Sequence, residues 1–314
     1  MLASIIATTA PSNYQITAVD LPEFDMTDKA QVISFVDDMH PEVIINCAAY
    51  TNVDGCETEQ ELANRVNGVA VGYLAEAAKR VDATLVHIST DYVFDGEKKT
   101  PYIEEDKTNP QSVYGHSKLL GEQAILSSGL KKYFIVRTSW LYGPGGNNFV
   151  ETILRLAKER EELGIVADQV GSPTYTGDLA DAVFALLGKC CDQETVMKET
   201  LQVGRDEEIV TVQSSPVTVT SSRASSLYGT YHFSNDGQCS WYEFAKEIIT
   251  LARADDAPLK IEKINPINTE DYPLPAKRPK YSVFGKEKYC LATGRSIPAW
   301  QDSLAKYMIG TIKT

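Results

Sequence analysis

Short, unbroken apolar runs alternate with amphipathic stretches of helical period along the first half of this chain. Val43-Ile-Ile-Asn-Cys-Ala-Ala49 has no polar alternation, as expected of a strand covered on both faces of a sheet. Thr84-Leu-Val-His-Ile-Ser89 and Tyr133-Phe-Ile-Val-Arg-Thr138 read the same way, and Tyr14-Gln-Ile-Thr-Ala-Val-Asp20 reads as a further strand ending in an acid. Between them the spacing predicts helices over 27–39 (Val32, Ile33, Val36, Met39), about 58–80 (Leu62, Val66, Val69, Leu74, Ala77) and about 112–128. Strand–helix–strand repetition of this kind predicts an α/β chain with a doubly wound, parallel, Rossmann-type sheet.

The second half is patterned differently. Helices are expected from Asn148 to Glu162 and over 176–189 (Leu179, Val183, Leu186, Leu187), with a short strand at Leu163–Ala167 between them. Ser240 and Glu243 form a capping-box pair ahead of Phe244, Ile248 and Leu251. The Pro-rich, charged stretch 265–280 reads as a loop. Residues 211–226 contain nine Ser or Thr, too few large apolar groups for a core, so 190–228 reads as a flexible surface insertion. At 314 residues the chain exceeds what one core of roughly 250–300 residues carries. The expected division is a dinucleotide-binding domain over 1–144, with 163–189 returning to it. A smaller α/β substrate domain would come from 145–162 and 229–314.

The formal net charge of −13 argues against a dedicated nucleic-acid binder, which needs a cationic face, and leaves room for a local basic pocket for a small anionic ligand. No run approaches the roughly 20 apolar residues of a membrane span, and the apolar start Met1–Ala7 lacks the basic flank of a signal peptide. The six cysteines contain no Cys-x-x-Cys, and Cys190 and Cys191 are adjacent, so they read as reduced thiols of a cytoplasmic protein. No His, Cys or Glu cluster has metal-ligand spacing; no metal is expected.

Chemistry concentrates at Tyr114-Gly-His-Ser-Lys118. An i, i+4 spacing puts phenol and ammonium on one helix face, where the ammonium is expected to lower the Tyr114 pKa and make it a usable proton donor to a carbonyl oxygen. The pattern alone is weak, for it recurs at Tyr242 and Lys246, read as an ordinary amphipathic pair. Context separates the two. Thr90 directly follows a buried-type strand, the place where open α/β sheets bind ligands, and its hydroxyl can bond the oxygen that Tyr114 protonates. For Asp91 a turn-capping role is the alternative, for Trp140 a core position, and for Arg278, between Lys277 and Lys280, simple solvation.

These residues lie in runs that resemble the dTDP-4-dehydrorhamnose reductases, a family of extended short-chain dehydrogenase/reductases. The runs are Val-Asp-Leu-Pro-Glu-Phe-Asp-Met-Thr-Asp (19–28), Ile-Asn-Cys-Ala-Ala-Tyr-Thr-Asn-Val-Asp (45–54), Ser-Thr-Asp-Tyr-Val-Phe-Asp-Gly (89–96), Tyr-Gly-His-Ser-Lys (114–118) and Arg-Thr-Ser-Trp-Leu-Tyr-Gly (137–143). Gln169–Thr174, Gly229–Asn235 and Arg278-Pro279 resemble it too. The resemblance implies an oxidoreductase that reduces the 4-keto group of dTDP-4-dehydro-L-rhamnose with NADPH or NADH. Tyr114 would be the general acid, Lys118 its modulator and ribose ligand, and Thr90 the partner hydroxyl. Asp20 would hold the adenosine ribose and Asp25 and Met26 the adenine, while Ala48, Ala49, Tyr50 and Thr51 line the cofactor's path. Thr90, Asp91 and Trp140 would touch the deoxysugar, and Arg278 the diphosphate. A homodimer is implied as well. An NDP-sugar epimerase or dehydratase, and a non-catalytic regulatory relative, are the alternatives.

One departure stands out. None of the 20 glycines begins Gly-x-Gly-x-x-Gly or Gly-x-x-Gly-x-x-Gly. With the ribose acid at Asp20, such a fingerprint falls at or before Met1, since it precedes that acid by about 20 residues. The first strand and phosphate loop of the fold are therefore expected to be missing, through a truncated or mis-called start or through degeneration. Asp20 also disfavours a 2′-phosphate, but this does not decide between NADH and NADPH.

Overall fold

The computed structural model describes residues 1–202 and 227–312. Helix α1 (Leu2–Thr9) is followed by α2 (Lys29–Met39), whose first N–H groups are capped by the Asp28 carboxylate. Strand β1 (Val43–Asn46) leads to short helices α3 (Val53–Thr58) and α4 (Gln60–Asn64), a π-helical turn at Arg65–Val69, and α5 (Ala70–Arg80). Then come β2 (Thr84–Thr90), a 3-10 turn at Asp91–Val93, α6 (Val113–Ser127) and β3 (Tyr133–Thr138). Further along lie β4 (Leu141–Tyr142), α7 (Phe149–Glu159), β5 (Glu162–Val166), β6 (Val170–Gly171), β7 (Thr174–Tyr175) and α8 (Thr176–Gln202). The chain is described again from β8 (Gly229–His232) and β9 (Cys239–Ser240) to α9 (Trp241–Ala254), β10 (Lys263–Ile267), α10 (Glu287–Thr293) and α11 (Trp300–Ile312).

The main sheet is parallel, in the order β1-β2-β3-β8. Alternation along its central strands sends Leu85 and Ile135 into the layer of α2, α5 and α6, and Val86, Phe134 and Val136 into the layer of α1, α8 and α10. Each buried side chain of this size contributes about 1.5–3 kcal/mol. Both faces are thus covered, which is why these strands read as continuous apolar runs. A separate core joins α7, α9, β5 and α11 through Ile153, Leu163, Phe244, Ile248 and Leu304. The Ser240–Glu243 capping box forms as expected.

Four expectations need correction. Tyr14–Asp20 is irregular and largely exposed, not a strand. The outer edge of β1 carries no strand among the described residues, and an extended segment without a ladder partner leaves its N–H and C=O groups to water. The expected helix over 58–80 is broken into α4, the π turn and α5. The loop over 265–280 begins as β10, which pairs in parallel with β5. Finally, α8 continues to Gln202, so the start of the expected insertion is helical. Residues 203–226 of it lie outside the described residues.

Candidate active site

At the carboxyl end of β2 the Thr90 hydroxyl donates to Asp91 Oδ1 (3.1 Å) and accepts from Tyr92 N (3.3 Å), which starts the 3-10 turn. Helix α6 enters the same space. Ser112 caps it by accepting from Gly115 N (3.2 Å), and Glu57 Oε1 accepts from Val113 N (2.9 Å). The half-buried Tyr114 ring meets Tyr92 edge-on, with centroids 5.4 Å apart. One turn further along α6, Lys118 is almost fully buried and donates to the Ile88 carbonyl (2.6 Å). Thr90, Tyr114 and Lys118 therefore meet at one edge of the sheet.

The electrostatics of the pair differ from the sequence expectation. Burial pushes the Tyr114 phenol above its usual value, with the Thr90 hydroxyl pulling the other way. Burial also holds Lys118 down to about 8, with Glu122 and Cys47 pulling it up. Among the described residues no hydrogen bond joins ammonium to phenol; the Lys118 ammonium donates to the Ile88 carbonyl instead. Tyr114 is thus fully protonated at neutral pH, which is the form a proton donor needs.

Ala48, Ala49, Tyr50 and Thr51 follow β1 as a ledge beside this edge. Asn46 Oδ1 accepts from Ala48 N (3.0 Å), so its Nδ2 is the donor to His87 Nδ1 (3.1 Å). Burial keeps His87 neutral, with Lys118 adding to the effect. From the π turn, Asn67 Oδ1 accepts from Tyr50 N (2.8 Å), and its Nδ2 donates to Tyr50 O (3.0 Å) and to Ser117 Oγ (2.9 Å). Asn46, His87 and Asn67 were missed in the sequence. For Asn46 and His87 the signal was a polar side chain inside an otherwise apolar strand run; Asn67 offered none, because it sits in the π turn.

The other expected residues are placed as follows. Asp91 is 2% exposed; burial pushes its carboxyl up to about 6, against the neighbouring Ser282 and Thr90 hydroxyls. Its Oδ2 has no hydrogen-bond partner among the described residues. Trp140 stacks on Trp241 (3.6 Å, 11°) with its indole pressed against Gly171, so it is first a packing element. Arg278 is not simply solvated: it forms a two-point ion pair with Asp54. Asp20 is exposed and accepts from Leu21 N (2.8 Å). Asp25 accepts from Thr27 N and Oγ1, which hold its carboxyl below the usual range. Met26 is buried in the layer of α2. Among the described residues the hydrogen bonds of Asp20 and Asp25 stay within this approach to α2, and none runs to Tyr114, Lys118 or Thr90.

Beneath the site lies a buried ion pair. Arg137 Nε and Nη2 bond Glu122 Oε1 (2.9 Å) and Oε2 (2.7 Å), and Ser89 Oγ donates to the same carboxylate (2.6 Å). Arg137 Nη1 contacts His232 Nε2 (3.3 Å), whose other ring nitrogen faces Tyr102 O (3.0 Å). Such satisfied networks fix α6, β2 and β3 relative to one another.

The family described as the RmlD substrate binding domain matches residues 2–215 and 208–311. A dTDP-4-dehydrorhamnose reductase of Aggregatibacter actinomycetemcomitans is 42% identical over 291 residues, covering 93% of this chain and 88% of that protein. The chain belongs to the dTDP-4-dehydrorhamnose reductase family. Another reductase of this name, from Burkholderia thailandensis, is 41% identical over 91% of this chain and 88% of that protein. Among solved structures, a dTDP-4-dehydrorhamnose reductase from Clostridium acetobutylicum is similar with a TM-score of 0.82 and 39% identity, over 100% of this chain and 96% of that one. The Bacillus anthracis reductase in complex with NADP has a TM-score of 0.80 and 39% identity, over 98% of this chain and 95% of that one. The reductase-like runs at 89–96 and 114–118 are the ones that the fold brings together at Thr90, Tyr114 and Lys118.

Proposed function

We propose that this chain reduces the 4-keto group of dTDP-4-dehydro-L-rhamnose to give dTDP-L-rhamnose, using NADPH or NADH. The observation that carries the reading is the convergence of Thr90, Tyr114 and Lys118 at the carboxyl edge of a parallel sheet, in a chain whose relatives bear that reductase name. The donor set suits the nicotinamide end of the cofactor. Lys118 has three N–H donors and spends one on Ile88 O, which leaves two for ribose hydroxyls. The ledge Ala48–Thr51, held by Asn46 and Asn67, supplies a fixed floor beside it.

Reduction of a ketone adds a hydride to carbon and a proton to oxygen. The reduced nicotinamide, when bound, supplies the hydride. Tyr114 gives the proton from its phenol to the substrate oxygen, and the Thr90 hydroxyl beside it steadies that oxygen. Asp91 and the exposed edge of Trp140 take the deoxysugar, and Arg278 takes the diphosphate. The division into a cofactor part (1–144 with 163–189) and a substrate part (145–162 with 229–314) belongs to the same proposal, supported by the separate core around α7, α9 and α11. So does a homodimer. Cys47, Cys56, Cys239 and Cys290 are free thiols, which suits the reducing cytoplasm. Among the described residues no helix is long and apolar enough to cross a membrane.

The test is Tyr114→Phe, which removes the phenolic hydroxyl and keeps the ring. It is expected to keep dTDP-sugar binding and lose turnover by about 10²-fold or more. Wild-type turnover in this variant would overturn the assignment.

A further inference from the structure

We propose that Asp54 is the positioning residue for the substrate diphosphate: by gripping Arg278 end-on, it presents the second N–H fork of that guanidinium to the site. The inference rests on the reading above, in which Arg278 receives the diphosphate. Arg278 Nη1 donates to Asp54 Oδ1 (2.5 Å) and Nη2 to Asp54 Oδ2 (2.8 Å), while Nη1 also donates to Ala276 O (2.6 Å). Ala276 N closes the motif by donating to Asp54 Oδ1 (3.0 Å). A guanidinium has five N–H donors in a planar fork. The end-on pair and the inner Nη1–H are used. The parallel Nε–H and outer Nη2–H have no acceptor among the described residues, and this side-on pair matches two oxygens of a phosphate group.

The grip also sets a distance. The Arg278 loop lies over the turn that follows β2, where Tyr281 N donates to Gly96 O (3.2 Å) and Pro279 packs against Gly96. Asp54 stands on α3, directly after the ledge Ala48–Thr51. On the same helix Glu57 accepts from Val113 N at the start of α6. One short helix therefore ties the diphosphate end of the site to the helix that carries Tyr114. Asp54 acts on the diphosphate end of the substrate, so it governs affinity through Arg278 and leaves the proton transfer at the sugar end untouched. Arg278 is 17% exposed at its side chain and Asp54 33%, so the pair is reachable by a ligand.

The test compares full-length wild type with Asp54→Asn, Asp54→Ala, Arg278→Ala and the Asp54→Ala/Arg278→Ala double variant. The readouts are calorimetric binding of dTDP and kcat and KM for the 4-keto sugar. Each single variant is expected to weaken dTDP binding and raise KM by about tenfold, with kcat within about twofold. The double variant is expected to be no weaker than Arg278→Ala alone, because Asp54 acts through Arg278. Asp54→Asn keeps the shape and an acceptor for Ala276 N, so it reports on the ion pair even if Asp54→Ala fails to fold. Tighter dTDP binding by Asp54→Asn would make Asp54 a competitor of the ligand, and unchanged binding would make the pair merely structural; either result overturns the proposal while the reductase reading stands. A wild type that neither binds dTDP nor turns over the sugar would overturn both.

Discussion

A Cβ at Gly115 would lie 2.2 Å from the carbonyl oxygen of Tyr92. The helix carrying Tyr114 and the turn following Thr90 thus touch backbone to backbone, and the missing side chain at 115 is what lets phenol and hydroxyl share one space. Gly115→Ala is expected to push α6 off the turn. It should lower stability by about 1–3 kcal/mol and turnover by about 10²-fold, since misplacement on the order of 1 Å is that costly. Thermal melting and kcat on one preparation check it. Unaltered kcat would mean that the contact does not place Tyr114.

Lys118 gives a pH signature. Its ammonium is held down to about 8 by burial, so the charge and one donor are lost as pH rises through that value. KM for the nicotinamide cofactor is expected to climb above pH 8. Lys118→Met should show a high KM throughout and no inflection. Measured KM–pH profiles for the two proteins check this, and an inflection surviving in Lys118→Met assigns it to another group.

Asp91 should leave its mark on stability. Its carboxyl rises from 3.8 to about 6 in the fold, so between these values the native state binds more proton than the unfolded chain. The Asp91 contribution is therefore fully present below about pH 4 and is lost as pH rises through 6. The amount is about 2–3 kcal/mol, at 1.36 kcal/mol per pKa unit. Asp91→Asn stays neutral, so its melting temperature should lack this decline. Parallel Tm–pH curves for variant and wild type would contradict the account.

How much of this was legible depends on the kind of contact. Strand β3 was readable to the residue (Tyr133–Thr138) and α6 to within one, because both bury continuous or periodic apolar faces. The Tyr114, Lys118 and Thr90 constellation was readable too, since it follows from a helix spacing and a strand end. Tyr14–Asp20 misled, because its composition favours a strand but strand formation depends on a neighbour that propensity does not report. Asn67 was hidden by the π turn, which shifts the helical phase just where the side chain turns inward. The Asp54–Arg278 pair joins residues on opposite halves of the chain, and no local pattern announces such a contact. The sign of the Tyr114 pKa shift was misread for a related reason: spacing brings an ammonium near, but the fold turns it onto the Ile88 carbonyl and buries the phenol.

The most direct measurement is a count of NADPH oxidised, read by absorbance, against dTDP-4-dehydro-L-rhamnose consumed by the wild-type chain. A reductase that sends its hydride to the 4-keto carbon, with Tyr114 giving the proton, consumes one NADPH for each dTDP-L-rhamnose formed. Conversion of the sugar with no net NADPH oxidation would identify an epimerase or dehydratase that recycles the cofactor, and would contradict the account.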